Sequence, residues 1–168
     1  MPSQPTLSAD DLKNLATVMN GGSPQAKALG IETIGFEKDV AIVRTPYRAE
    51  LVGDPDTGVI AGGVVTTLLD HSCGQAVFAA LGRPDTIATL DLRIDYMRPA
   101  EPGKDIFCRA HCYKVTRSVA FVRASAYDDN VDDPVATAQA AFMLNASEGR
   151  PPGVNLEPPP AHKTGGQP

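Results

Sequence analysis

The longest uninterrupted pattern in the chain is residues 62–81 (GGVVTTLLDHSCGQAVFAAL), twenty proline-free and mostly apolar positions. The run is too long for a strand, and its apolar residues fall on nearly every side, so it predicts a helix buried on most faces. Strand patterns flank it. Residues 31–36 and 40–45 are rich in β-branched side chains, and Glu37-Lys38-Asp39 between them suits a hairpin. Residues 86–97 alternate, with Leu90, Leu92, Ile94 and Tyr96 on one face and Thr89, Asp91, Arg93 and Asp95 on the other. Further strands at 105–115, 119–127 and 134–144 are punctuated by Thr116-Arg117-Ser118 and Asp128-Asp129-Asn130. Near the start, Ser8 precedes Asp10, Asp11 and a helical spacing of Leu12, Leu15, Val18 and Met19, which predicts a short amphipathic helix ending before Gly21-Gly22. A helix that is apolar nearly all round has to be wrapped. An antiparallel sheet of the flanking strands is the only wrapper this chain offers, so the fold class is α+β.

Composition narrows the function. At 168 residues and 42% hydrophobic, the chain has the length of one domain. Its net charge of −5, with 5% aromatic residues and no tryptophan, argues against a nucleic-acid partner. No uninterrupted apolar run approaches the ~20 residues that cross a bilayer. The first twenty residues carry Asp10 and Asp11 and no apolar signal core, and three cysteines without framework spacing suit a reducing compartment. The expectation is a cytoplasmic domain without nucleic-acid or membrane partners. Residues 151–168 hold six of the fifteen prolines and read as a solvated tail. The expected division is therefore an N-terminal helix and linker at 1–29, a domain at 30–146 and a Pro/Gly-rich tail at 147–168.

One residue does not belong in the buried helix. Asp70 lies at its middle, and its same-face neighbours Thr66, Thr67, Cys73 and Gly74 include no cation to compensate it. An unpaired buried carboxylate is costly, and such carboxylates gather at functional sites. The plainer alternatives are a partly exposed helix face or a distant arginine. Gly62-Gly63 open the same helix, where unpaired N–H groups at the positive dipole end can take an oxyanion or carbonyl oxygen. The alternative there is a tight turn that lets backbones approach. Gly63 and Asp70 are seven residues apart, about 10 Å along one helix, so joint action on one carbonyl requires two subunits.

Other constellations carry less. His71 points about 100° away from Asp70 round the helix, which disfavours a catalytic pair. Cys108, His111 and Cys112 suggest zinc, but on a strand His111 faces away from both cysteines and no fourth ligand follows, so core cysteines are expected. Residues 93–123 hold seven Lys/Arg against three Asp/Glu, a local +4 within an acidic chain. That zone suits an anionic ligand, with Arg98, Lys104, Arg117 and Arg123 able to approach its phosphates. Solvent-facing strand charge is the better account of Lys104 and Arg123, and Arg117 beside Ser118 is the best single choice.

The stretch 58–74, followed by Thr86-Ile87-Ala88-Thr89-Leu90-Asp91 and Tyr96-Met97-Arg98-Pro99-Ala100, resembles the PaaI-like hotdog-fold acyl-CoA thioesterases of phenylacetate catabolism, over roughly residues 30–145. The resemblance implies a six-stranded antiparallel sheet around one long central helix, homodimers with a continuous sheet, and often homotetramers. It implies an acyl-CoA substrate, Asp70 as nucleophile or general base, and Gly63 N–H polarising the thioester carbonyl from the other subunit. Thr89 is similar to a hydroxyl residue that positions water. Ala61, Gly62, Arg98, Arg117 and Ser118 are the expected substrate-binding positions, with no metal or redox cofactor required. The chain departs from the family in carrying Ala61 where His usually precedes the glycine pair, and Pro55 where Asn is frequent. Simple alternation also puts Thr89 on the polar face of its strand. Those departures favour, as an alternative, a non-catalytic acyl-CoA-binding protein; a hydratase or dehydratase is weaker because the helix entrance lacks the histidine it needs.

Overall fold

The computed structural model of the protein describes residues 8–83 and 85–144. The expected tail at 147–168 lies outside the described residues. The helix and strand patterns read from the sequence form as expected. Helix α1 (Ala9–Gly22) opens on a reciprocal cap, in which Asp11 N–H donates to Ser8 Oγ (3.2 Å) while Ser8 N–H and Oγ–H donate to Asp11 Oδ2 (3.0 and 2.7 Å). A short second helix α2 (Pro24–Leu29) follows, with Ser23 as its N-cap. Strands β1 (Glu32–Glu37) and β2 (Val40–Thr45) form the expected hairpin. A single 3-10 turn at Ala49–Leu51 leads into a small hairpin of β3 (Val52–Asp54) and β4 (Val59–Ile60), which no period in the sequence announces. Then come the long helix α3 (Gly62–Leu81) and strands β5 (Ile87–Tyr96), β6 (Ile106–Val115), β7 (Val119–Tyr127) and β8 (Ala136–Leu144).

Six strands make one sheet in the order β1-β2-β6-β7-β8-β5, and every neighbouring pair is antiparallel. The sheet curls round α3. Helix α3 is long and apolar enough to cross a membrane by length and composition, yet two-thirds of it is buried within the fold, as befits a core helix. The close fit comes from small side chains. The sheet face turned to the helix carries Ala110 on β6, Ala120, Ala124 and Ala126 on β7, and Ala136, Ala138 and Ala140 on β8, all buried. Against them lie Val65, Leu68, Leu69, Cys73, Ala76 and Val77 of the helix. Gly82 ends the helix in the left-handed region (φ 60°), its N–H donating to the Phe78 carbonyl at 3.0 Å.

Strand β5 corrects the alternation read from its sequence. Its register against β8 slips between Thr89 and Asp91, so Leu90 is bulged out and exposed. Ile87 before the bulge and Leu92 and Ile94 after it pack on the core. The bulge therefore reverses the phase, and Thr89 turns to the helix rather than away from it.

The β3–β4 hairpin fixes the entrance to α3. Asp54 organises its turn by accepting from Asp56 N–H (3.1 Å) and Thr57 Oγ1 (2.9 Å), with Pro55 exposed at the tip. Ala61 N–H donates to the Leu51 carbonyl at 2.9 Å. Gly53 passes so close that an added Cβ would lie 2.8 Å from Ala61 Cα. Because that contact is backbone, Gly53→Ala must displace the helix entrance. It is expected to lower stability by about 1–3 kcal/mol, as overpacking does, measured as a fall in the urea unfolding midpoint at an unchanged m-value.

Candidate functional site

Helix α3 is not covered evenly. In its N-terminal half Gly62 and Gly63 are exposed and Thr66, Thr67, Asp70 and His71 are half-buried, whereas the C-terminal half is nearly all buried. The open stripe runs beside β5, an edge strand of the sheet. Along it, strand and helix are joined at three levels. An added Cβ at Gly74 would meet Ile87 and Phe142 side chains at ordinary contact, 3.6 and 3.8 Å. Thr89 Oγ1 donates to Asp70 Oδ1 at 2.9 Å. At the helix entrance Tyr96 Oη donates to the Gly62 carbonyl at 2.7 Å and lies 2.9 Å from Thr66 Oγ1.

Asp70 is thus not fully buried, and among the described residues no arginine pairs with it. It stands on the partly open helix face, with the Thr89 hydroxyl orienting one oxygen. The Leu90 bulge is what brings Thr89 there. His71 is half-buried, and burial holds its pKa below the ordinary imidazole value against the opposing pull of Asp70. The entrance glycines differ from each other. An added Cβ at Gly62 would meet Tyr96 Oη at 3.5 Å, while one at Gly63 would meet nothing within 4 Å. Their N–H groups belong to the first helical turn, which has no carbonyl four residues earlier in the helix. Ala61 is the N-cap and supplies no side-chain hydrogen bond.

Beside this entrance lies an open cavity of about 350 Å³, lined by Val59, Ile60, Gly62 and Val65 on one side and Tyr96, Met97, Pro99 and Val135 on the other. Its lining is largely apolar, and Gly62 and Tyr96 belong to it. It can take an apolar group against the same helix end that offers N–H donors.

Arg98 also borders this cavity, but its donors are committed elsewhere. Nε donates to Asp133 Oδ2, Nη1 to Asp128 Oδ2 and the Pro99 carbonyl, and Nη2 to Asp128 Oδ1 and the Asp133 carbonyl. A guanidinium has five N–H groups, and all five are satisfied within the chain. These bonds pin the 128–133 loop to the end of β5 and leave Arg98, expected as a substrate-binding position, with no N–H to spare for a phosphate. The buried Asp128 accepts additionally from Glu101 and Asp129 N–H, and the Arg98 guanidinium holds its carboxyl far below the usual carboxylate range.

The local +4 dissolves in the same way. Arg93 pairs with Asp95, Arg98 with Asp128 and Asp133, Lys104 with Asp129 and Glu101, and Arg109 with Glu37. Arg123 lies 4.4 Å over the Tyr113 ring. Lys114 and Arg117 remain exposed without an opposite charge among the described residues. Arg117 and Ser118 form the exposed β6–β7 turn, at the sheet end where Val119 lies opposite Met143 and Thr89 opposite Phe142. That is the end of the sheet at which Thr89 meets Asp70, roughly two strand spacings, about 10 Å, across.

Cys73, Cys108 and Cys112 are buried and free, with burial pushing the Cys108 thiol up to about 12 and Cys112 to about 11. His111 sits on the other sheet face, so no zinc set forms from them. Among the described residues no cluster of three or more His, Cys, Asp or Glu side chains could hold a metal.

The model of the thioesterase superfamily matches residues 57–135, from the β3–β4 turn to the start of β8. The chain is 28% identical over 134 residues to the medium/long-chain acyl-CoA thioesterase YigI of Escherichia coli, covering 72% of this chain and 85% of that one. A crystal structure of a Pseudomonas aeruginosa protein superposes with TM-score 0.73 at 39% identity, over 79% of this chain and 98% of that one. The phenylacetic acid degradation protein PaaI of Thermus thermophilus superposes with TM-score 0.62 at 25% identity, over 72% and 98%.

The Arg98 network yields a prediction about stability rather than binding. Arg98→Met strands the buried Asp128 carboxylate and is expected to cost about 3 kcal/mol at pH 7. Asp128 has a lowered folded pKa, so its contribution is present above the unfolded value near ~3.9 and is lost as pH falls below it. The gap in urea midpoint between wild type and Arg98→Met should accordingly narrow between pH 5 and pH 3.

Proposed function

The chain belongs to the thioesterase superfamily, and from that premise we propose that it hydrolyses an acyl-CoA thioester to a free acid and CoA, in a site shared between two copies. The observation that carries this reading is the Thr89–Asp70 hydrogen bond on the open face of α3. It is a carboxylate oriented by a hydroxyl, beside an edge strand that leaves room for substrate. The names of the relatives support the substrate class. In this reading Asp70 either attacks the carbonyl carbon directly or removes a proton from the water that does so. Gly63 N–H receives the developing oxyanion, a contribution of about 3 kcal/mol where such donors have been removed. When water is the nucleophile, collapse of the tetrahedral intermediate breaks the C–S bond and the CoA thiolate takes up the proton that Asp70 removed. When Asp70 attacks directly, collapse releases the thiolate and leaves an acyl–Asp70 anhydride, which water cleaves to the free acid and the Asp70 carboxylate, its proton going to the thiolate. The apolar cavity at the entrance receives part of the substrate, and Arg117 with Ser118 offers the exposed charge for its phosphates.

Sharing between subunits follows from spacing. Gly63 and Asp70 stand about 10 Å apart on one helix, beyond the reach of one carbonyl. Strand β5 presents ten residues of open edge, a template for pairing with a second strand. Antiparallel pairing of two β5 edges about a two-fold axis near Leu92–Arg93 would set each Thr89 toward the partner's Tyr96. Each Asp70 would then approach the partner's glycine entrance.

Asp70→Asn should reduce CoA release by at least about 100-fold, as expected for loss of a positioned base or nucleophile, with little change in KM. Near-normal turnover would sink the mechanism. Mixing Asp70→Asn with Gly63→Pro, which deletes the donor N–H, tests the shared site. Exchanged heterodimers hold one intact site, so up to about a quarter of wild-type activity should return by symmetry. Verified exchange with no recovery would count against it.

A further inference from the structure

We propose that Tyr96 is a positioning residue for thioester hydrolysis, acting through the Gly62–Gly63 peptide that it holds by its hydroxyl. The inference rests on the reading of Gly63 N–H as the carbonyl donor and extends it to a residue on another element. The Gly62 carbonyl and the Gly63 N–H are the two ends of one planar peptide unit. Whatever fixes the carbonyl therefore fixes the direction of the N–H.

That peptide is in need of fixing. It lies between two glycines, which have the widest backbone freedom of any residue, at a helix end whose N-cap, Ala61, supplies no side-chain bond. No Cβ at Gly63 touches a neighbour. The restraint comes from β5: Tyr96 Oη donates to the Gly62 carbonyl at 2.7 Å. Proton accounting settles the rest of the chain of bonds. Tyrosine has one O–H, and the carbonyl can only accept, so in the 2.9 Å contact with Thr66 the Thr66 hydroxyl is the donor. Thr66 thus donates to Tyr96, and Tyr96 donates to Gly62.

This ordering has an electronic consequence as well as a steric one. A carbonyl that accepts draws electron density along its peptide and strengthens the N–H as a donor, and hydrogen bonds in series polarise one another. The Gly62 carbonyl, already the i−4 acceptor position for Thr66 N–H within the helix, gains a second donor in Tyr96. The relay is thus aimed at the N–H that would face the developing oxyanion, where a preorganised donor acts most strongly.

Tyr96→Phe keeps the ring and removes the hydroxyl. With octanoyl-CoA as probe, kcat should fall about tenfold, a fraction of the effect of deleting an oxyanion donor, with KM changed by less than about twofold. The thermal midpoint should stay close to that of wild type, since the bond is half-exposed. A structural role alone would not move the second readout: infrared spectra of octanoyl-CoA carrying a ¹³C thioester carbonyl, bound to Asp70→Asn. Adding Tyr96→Phe should shift the carbonyl stretch back toward its value in free substrate. If the Phe variant does not fold, Thr66→Val breaks the relay one step earlier and should lower kcat about threefold. Wild-type hydrolysis with kcat and carbonyl frequency unchanged in Tyr96→Phe overturns the role of Tyr96 and leaves the thioesterase reading standing. A wild-type chain that neither releases CoA nor perturbs the bound carbonyl overturns both.

Discussion

Everything in this structure answers to one constraint: a helix that is apolar almost all round has to be buried while one of its residues is a carboxylate. Sheet wrapping solves the first half. The alanine face of β6, β7 and β8 lets the sheet close on α3 at short range, and the C-terminal half of the helix disappears into it. The second half is solved by leaving one stripe uncovered. Gly63, Thr66, Thr67 and Asp70 fall at helical spacing on that stripe, beside the edge strand β5, so the carboxylate and the two threonines sit where the wrapper ends, while Ser72 and Gln75 are buried.

The fold was legible in the sequence to the extent that period and composition determine it. Twenty proline-free, mostly apolar residues can be only a buried helix in a chain this size, and the strand runs are separated by turn residues. The β3–β4 hairpin was not legible. Its strands are two and three residues long, and what builds them is the Asp54 turn and the close approach of Gly53 to Ala61, neither of which has a period. The site was legible in part. Asp70 betrays itself as a misfit in its helix. Thr89 follows from the family resemblance alone, because the alternation of 86–97 points it to solvent; nothing in Thr89-Leu90-Asp91 announces the bulge that turns it inward. Tyr96 went unrecognised for the opposite reason. It fits the strand pattern so well that nothing in the sequence marks its hydroxyl, which bonds the Gly62 carbonyl.

Charge shows why windows along a chain mislead. Residues 93–123 sum to +4 on paper, yet Arg98, Lys104 and Arg109 each have a partner outside the window, Asp128, Asp129 and Glu37, which reach it through the sheet register and the loop after β7. Arg98 is the clearest case. A residue at the mouth of an apolar cavity, in a stretch that resembles a CoA-binding family, uses all five of its donors to hold a loop. Position near a site does not make a side chain part of its chemistry; unspent hydrogen-bonding capacity is also required, and Arg117 has it where Arg98 does not.

The edge strand joins these threads. A ten-residue open edge with Leu90 and Tyr96 exposed at 54% and 52%, followed by Met97 at 61%, is a surface that a folded chain normally blunts or covers. Here the same strand supplies the hydroxyls of Thr89 and Tyr96, one to the acid and one to the glycine entrance, at its two ends. A second β5 laid antiparallel along it would bury the exposed apolar residues and bring opposite ends of the two strands together. It would also remove water from around both hydroxyl contacts, and hydrogen bonds gain strength as the local dielectric falls. On this view assembly and catalysis draw on one strand. If the edges pair as proposed, that pairing creates the site, and turnover is then expected to depend on protein concentration wherever the pairing is incomplete.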